Sequence, residues 1–271
     1  MKGKDQDHIN IEHPEAYELL VAIGERRVDY MLYAPSVAGS LIYGDMAMSD
    51  DSLQSLEDAI YDLPLLLDEY RRVRVVVHSR HFVLFPVDVA NDDCTLLARE
   101  AFPGDEGDAA VCDMPLNGVK VAYLMPRGME AFLGRTFNYP EVCHHLMPLC
   151  EYFKGQNGGD SLSRMFLTLS DGEMDMVIYR DGALQCANNY ASASVQDAAY
   201  FAMNAWRAHD LDQLTDELHL MGDAELRSEM TPLLREYVKY VMPAVFPAAA
   251  MRLGRDAMQA PLELILLALC E

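Results

Sequence analysis

The chain has 271 residues, 51% of them hydrophobic, which is enough for two packed lobes and excludes disorder along its whole length. Its 43 acidic residues against 21 basic ones give a formal charge of −22. Nucleic-acid affinity comes from Lys and Arg displacing phosphate counterions, so this field argues against nucleic acid and anionic membrane as partners.

The six cysteines show no CxxC pair, and four lie in apolar runs where a thiol acts as a small hydrophobe. Met1 to Pro14 is polar with no apolar stretch, so it reads as a flexible tail and no signal peptide is expected. No run approaches the roughly 20 apolar residues of a membrane helix. Cytoplasmic residence without membrane insertion is the expectation.

In chain order, 17–24, 28–33 and 41–46 read as three strands joined by short turns. The Ser49–Ser52 stretch then offers several helix N-caps. Leu53, Leu56, Ile60, Leu63 and Leu67 follow at helical spacing, with a kink or restart expected at Pro64. Val73–Val77 is nearly all β-branched, as suits a strand buried on both faces. After Gln156–Asp160, the best linker in the chain, the series repeats. Strands are expected at 165–169, 174–179 and 183–190, a helix from Val195 to about His209 capped by Ser194, and a strand at 217–221. Val28-Asp29-Tyr30-Met31-Leu32-Tyr33 matches Met174-Asp175-Met176-Val177-Ile178-Tyr179, with the Asp and final Tyr identical. Amphipathic strands resemble one another, but the shared order of elements points to duplication of a lobe.

Both lobes close alike. The first is expected to end in a helix at 128–137, a strand at 142–147 and a short helix at 148–154. In the second, a helix at 224–239 breaks near Pro232, before a strand at 240–246 and a final helix at 261–270. The first lobe carries additional residues at about 79–126, with a helix candidate at 95–102 and a hairpin across Asn117-Gly118. The expected division is a tail at 1–14, a first lobe at 15–155 containing this insert, and a second lobe at 160–271.

A duplicated βββαβαβα lobe with an insert in its first copy resembles the actin-like ATPase superfamily, an α/β fold of the ribonuclease H-like kind. The chain is similar to an uncharacterised bacterial family with that fold. The lines carrying the likeness are 70–78, 82–86, Tyr123-Leu-Met-Pro126, Leu167-Thr-Leu-Ser-Asp-Gly172 and Leu218-His-Leu-Met-Gly222. The resemblance implies that nucleotide, where it binds, sits between lobes on two hairpins that usually begin Asp-x-Gly. In such hairpins Gly lets the backbone approach phosphate and Asp organises the cation or attacking water.

Here the first hairpin keeps Gly24 but has Ala22 in place of the leading Asp. The second reads Ser170-Asp171-Gly172 at its turn: Gly172 and Asp175 match, but Thr168 stands in place of the Asp, and Glu173, in place of a small hydroxyl residue, would set a negative charge beside phosphate. The adenosine-side motif, normally two glycines, is Gly222-Asp223. Gly24, Ser170, Asp171, Gly172, Asp175 and Gly222 thus outline a degenerate nucleotide cleft. No catalytic residue and no bound cofactor are expected, with ATP and Mg as the alternative.

His144-His145 beside Cys143 and Cys150 invites a metal reading. Strand neighbours point to opposite faces, however, so at most Cys143 and His145 could share an ion, and a partly buried histidine pair is the simpler account. His78-Ser79-Arg80-His81 ends a buried strand, where α/β proteins place ligand residues, although loop polarity explains it equally. The acidic stretch from Asp50 to Glu69 reads as a solvated helix face. The resulting expectation is a pseudo-ATPase, acting as scaffold or adaptor through a protein partner or self-association. The alternative is an ATPase or kinase using unorthodox cleft residues.

Overall fold

The computed structural model describes residues 11–156, 162–244 and 246–270, together with the backbone alone of Arg255. Most of the 1–14 tail and the Asn157–Asp160 part of the linker lie outside the described residues. The described residues form two compact units. The first takes those within Met1–Asp113, Val119–Pro148 and Pro247–Glu271, and the second those within Met114–Gly118 and Leu149–Phe246.

In the first unit β1 (Glu18–Ile23), β2 (Arg27–Tyr33) and β3 (Ile42–Ala47) form an antiparallel meander. Helix α1 (Leu53–Tyr61) follows, N-capped by Ser52, whose side chain accepts from the Ser55 N–H. It ends short of Pro64, where a 3-10 turn, Pro64–Leu67, takes over. Strand β4 (Arg72–Val77) returns parallel to β1. The insert is a three-stranded sheet of its own: β5 (Phe82–Pro86), α2 (Asn91–Ala101), β6 (Asp108–Met114) and β7 (Val119–Met125), in strand order β5-β7-β6. Then come α3 (Met129–Thr136) and β8 (Glu141–His144), which completes the main sheet in the order β3-β2-β1-β4-β8. Helix α4 (Leu146–Gln156) starts before Pro148 rather than at it, because a first-turn residue has no N–H partner to lose.

The second unit repeats the plan. Strands β9 (Arg164–Ser170), β10 (Glu173–Arg180) and β11 (Ala183–Ala191) are followed by α5 (Val195–Ala208) and β12 (Glu217–Gly222). Next come α6 (Ala224–Arg235), continuous through Pro232, and β13 (Tyr240–Pro243). The sheet order, β11-β10-β9-β12-β13, is that of the first unit. A constant offset relates Ala22 to Thr168, Asp29 to Asp175 and Tyr33 to Tyr179, and the registers agree, with Ala22 opposite Asp29 and Thr168 opposite Asp175.

The last helix, α7 (Leu262–Leu269), departs from expectation: it belongs to the first unit and packs on β1, whereas most of α4 belongs to the second. The cause is local chemistry. One face of the first sheet, with Leu19, Val21, Tyr30 and Val75, packs on α1 and α3 through Leu56, Ile60, Phe132 and Leu133. On the other face Arg74, only 4% exposed, donates from Nη1 to the carbonyls of Leu267 (2.5 Å) and Cys270 (3.0 Å). Its Nη2 reaches Glu18 at 3.0 Å and the Tyr33 hydroxyl at 3.1 Å. A buried cation at a helix C-terminus answers both the carbonyls and the macrodipole. Burial pushes the Tyr33 phenol up to about 12, so it stays a neutral donor to Glu18.

In the second unit the equivalent Tyr179 bonds the Cys150 carbonyl of α4 at 2.8 Å and Asn117 at 2.7 Å, while Phe153 of α4 stacks on Phe166 at 4.3 Å. Each sheet is thus covered by the helix that the chain order assigns to the other lobe. Among the described residues no helix is long and apolar enough to cross a membrane.

Arg74→Met is expected to cost about 3–5 kcal/mol in urea denaturation, because it leaves Glu18 buried without its cation. Arg72→Ala removes a well-exposed pair with Glu141 at 2.7 Å and is expected to cost at most about 1 kcal/mol.

Candidate functional site

The six predicted site residues fall in two groups. Gly24 lies in the β1–β2 turn of the first unit, where its N–H donates to the Arg27 carbonyl at 2.9 Å. A Cβ there would meet only that oxygen, at an ordinary 3.5 Å. In the β9–β10 turn Gly172 has φ +80, which explains the glycine. Ser170, Asp171 and Gly172 line a cavity of about 70 Å³ with Glu173, Ser192 and Ser194, floored by Ala198, Leu226 and Met230. Ligand pockets are typically about 300–1,000 Å³, so this one admits little more than water.

Gly222 ends β12 at φ +83, and a Cβ there would overlap the Leu169 carbonyl oxygen. This glycine therefore serves the close approach of two strands. The next residue, Asp223, bonds Leu169 through its N–H and caps α6 by accepting from the N–H groups of Glu225 and Leu226 at 2.8 and 2.9 Å. Neither Gly222 nor Asp175 lines the cavity.

Asp175 sits in a row across the second sheet, directly opposite Thr168 on one side and Asn189 on the other. Asn189 donates to Asp175 at 2.8 Å and to Glu173 at 3.4 Å. The Thr168 hydroxyl is buried and has no hydrogen-bond partner among the described residues. The equivalent row of the first unit runs Ala22, Asp29, Asp45. There Asp29 receives the Arg27 guanidinium at 2.7 Å and the Tyr43 hydroxyl at 2.6 Å. Burial holds the Asp29 carboxyl above its usual range; Tyr43 and Arg27 pull it down, and the negative field of Glu263 on α7 pushes it up.

His144 and His145 are both buried to within 1% of complete, deeper than the partly buried pair expected. The His144 Nδ1 accepts the Leu146 N–H, and its Nε2 lies 2.9 Å from the Ser79 carbonyl, which fixes the neutral Nε2–H tautomer. The His145 ring lies parallel to His78, 4.5 Å away, and His78 bonds Glu263 at 2.9 Å. Farther along the same segment, His81 pairs with Asp105 at 2.6 Å. Among the described residues, no three His, Cys, Asp or Glu side chains are grouped to hold a metal. Burial first, and the neighbouring His78 second, hold the His145 imidazole well below its ordinary value.

Two sheets of one strand order, each opening with an antiparallel meander and closing with parallel strands, define an actin-like ATPase fold. The crystal structure of a Bacteroides thetaiotaomicron VPI-5482 protein, with that fold and unknown function, matches at TM-score 0.79 and 20% identity over 97% of this chain and 100% of the other. A chain of the PilM–PilN type IV pilus biogenesis complex matches at TM-score 0.57 and 13% identity, over 95% of this chain and 100% of its own. The cytoplasmic domain of EpsL, an inner membrane component of the Vibrio cholerae type II secretion system, matches at TM-score 0.45 and 12% identity over 92% and 97%. No curated protein matches the chain. The chain belongs to the family described as protein of unknown function, DUF3822, whose profile spans residues 6–241.

Gly222→Ala is expected to lose about 3 kcal/mol or more in denaturant melts, since the β12–β9 contact must open, whereas Gly24→Ala is expected to stay within about 0.5 kcal/mol. The His145 environment sets a pH dependence. Below about pH 6.5 the unfolded chain binds a proton that folded His145 refuses, so stability drops as the pH is lowered, at a slope approaching about 1.4 kcal/mol per unit. His145→Phe is expected to remove about one proton's worth of that slope, read from urea midpoints between about pH 5 and 7.

Proposed function

We propose that this protein is a non-catalytic member of the actin-like fold, a scaffold or adaptor that acts through protein contacts. The observation that supports this most directly is how the acids near the two hairpins are used. In the first unit the carboxylate position is Ala22, 2% exposed, and the neighbouring Asp29 is engaged by Arg27 and Tyr43 of its own sheet. In the second unit the position is Thr168, and Asp175 is held by Asn189.

Mg·ATP does not fit the residues present. Neither row offers the expected carboxylate to a hydrated cation. Glu263 beside Asp29, and Glu173 beside Asp171 and Asp175, would set negative charge against phosphate. The helix N-terminus after Gly222, an anion site elsewhere, has its N–H groups taken by Asp223. Protein contact needs none of these groups, and a structurally similar chain is known in a complex, that of PilM with PilN. A fold of this kind tolerates such a change of role, because function resides in sites rather than architecture.

Calorimetric titration of the full chain with Mg·ATP is expected to give no binding heat up to about 1 mM nucleotide. A dissociation constant near about 1 µM, abolished by Gly172→Val in a variant with unchanged circular dichroism, would overturn the proposal and establish the nucleotide-binding alternative.

A further inference from the structure

The acidic charge of the chain is unevenly placed. Between Arg27 and Arg71 there is no Lys, Arg or His, but there are nine Asp or Glu. The stretch contains α1 and the 3-10 turn behind it, whose inner faces are spent on the core through Ser55, Leu56, Ala59, Ile60, Leu65 and Leu66. The outer face is not uniformly polar. Tyr61 is 56% exposed and Leu67 41% exposed, with exposed Pro64 between them.

These three exposed residues recur at every third position of the chain. Residues three apart eclipse in a 3-10 turn, which places Pro64 and Leu67 on one face. Tyr61 is held from beneath, with its ring edge-on to Phe132 of α3 at 5.9 Å and 85°. It is thus an aromatic of fixed position with more than half its surface open, the kind of side chain that anchors protein interfaces. Around it stand Glu57 and Asp58 one helical turn back, then Asp62, Asp68 and Glu69. Helix α3 adds one acid, Glu130, and one base, Arg135.

We propose that Tyr61, Pro64 and Leu67 form a docking surface for a Lys/Arg-rich, amphipathic segment of a protein partner. Charge decides the occupant. A second copy of this chain would bring the same acid-rich surface, whose stretch between Arg27 and Arg71 holds no Lys, Arg or His, and nucleic acid or an anionic bilayer would bring like charge. A basic segment gains steering from the acidic rim, and its apolar side covers the Tyr61 ring and Leu67. This assigns a surface and a partner chemistry to the scaffold reading, and it rests on that reading.

The test uses the full chain, ¹⁵N-labelled, with a short synthetic Lys/Leu amphipathic peptide and the same peptide carrying Glu for every Lys. The basic peptide is expected to shift the resonances of residues 57–69 and to bind more weakly as salt rises from about 0.05 to about 0.5 M, while the Glu peptide does not bind. Tyr61→Ala and Leu67→Ser leave every charge in place and are each expected to weaken binding about tenfold. Leu67→Ser carries the test alone should Tyr61→Ala disturb the fold. Binding within about twofold of native in the folded variants, or shifts centred elsewhere, overturns the docking surface, because attraction to acidic charge at large would then explain it. Mg·ATP binding would remove the scaffold reading without altering this peptide result, so the two failures are separable.

Discussion

Arg74 sits between the valines of β4 and places a cation in the protein interior, 3.0 Å from Glu18. Burying a cation is costly unless its donors find acceptors and a counter-charge lies alongside; here Nη1 and Nη2 find them, while Nε is buried with no hydrogen-bond partner among the described residues. Glu18 on β1 supplies the charge, Tyr33 on β2 supplies a neutral hydroxyl, and the last turn of α7 supplies carbonyls that have no partner within their own helix. Four elements are joined by one guanidinium. Hydrophobic contact alone would let α7 slide or rotate on the sheet, whereas the fork of the guanidinium admits few positions for the carbonyls.

The second unit shows that the duplication kept the geometry of this arrangement and changed its chemistry. Arg164 stands where the first unit has Glu18, with Glu217 across from it at 2.7 Å, so the charges are exchanged between neighbouring strands. Tyr179 donates to the Cys150 carbonyl of α4 at 2.8 Å, where Tyr33 lies 3.5 Å from the Ala268 carbonyl of α7. His219 stands at the position of Arg74, pairs with Glu217 and stacks on Phe166 at 5.0 Å. Burial lowers its imidazole, with Glu217 opposing, so it carries charge less readily than an arginine. Backbone register survives such exchanges because it depends on the alternation of faces, which neither set of side chains disturbs.

Much of the fold was legible from residue pattern. The meanders, the helix after each of them, and the helix and hairpin of the insert follow from alternation, helical spacing and turn chemistry. The positions that were missed share a cause. Arg74 lies in Arg72-Val-Arg-Val-Val-Val77, where the β-branched run invites attention and the arginine does not, although a charge in a doubly covered strand signals a buried partner. Its partners are far away in sequence, and no local pattern joins Glu18, Tyr33 and Leu267. For the same reason α7 was assigned to the wrong lobe, since its apolar face would suit either sheet. At the site, the turn explains Gly172 and backbone crowding explains Gly222. Composition could not separate these causes from phosphate binding, because glycine serves all three.

The helix exchange has a consequence for the order in which the protein can assemble. The Arg74–Leu267 contact spans 193 residues, so on the ribosome Arg74 and Glu18 emerge long before the carbonyls that complete their surroundings. Residues 149–246, by contrast, carry α4 at their leading end and can close around it as soon as β13 has been made. Translation proceeds from the N-terminus at about 5–20 residues per second, so the half-built first unit must persist for seconds with one face uncovered. The unit that is synthesised first is therefore the one completed last, and in that interval its open face is available to chaperones or to misfolding.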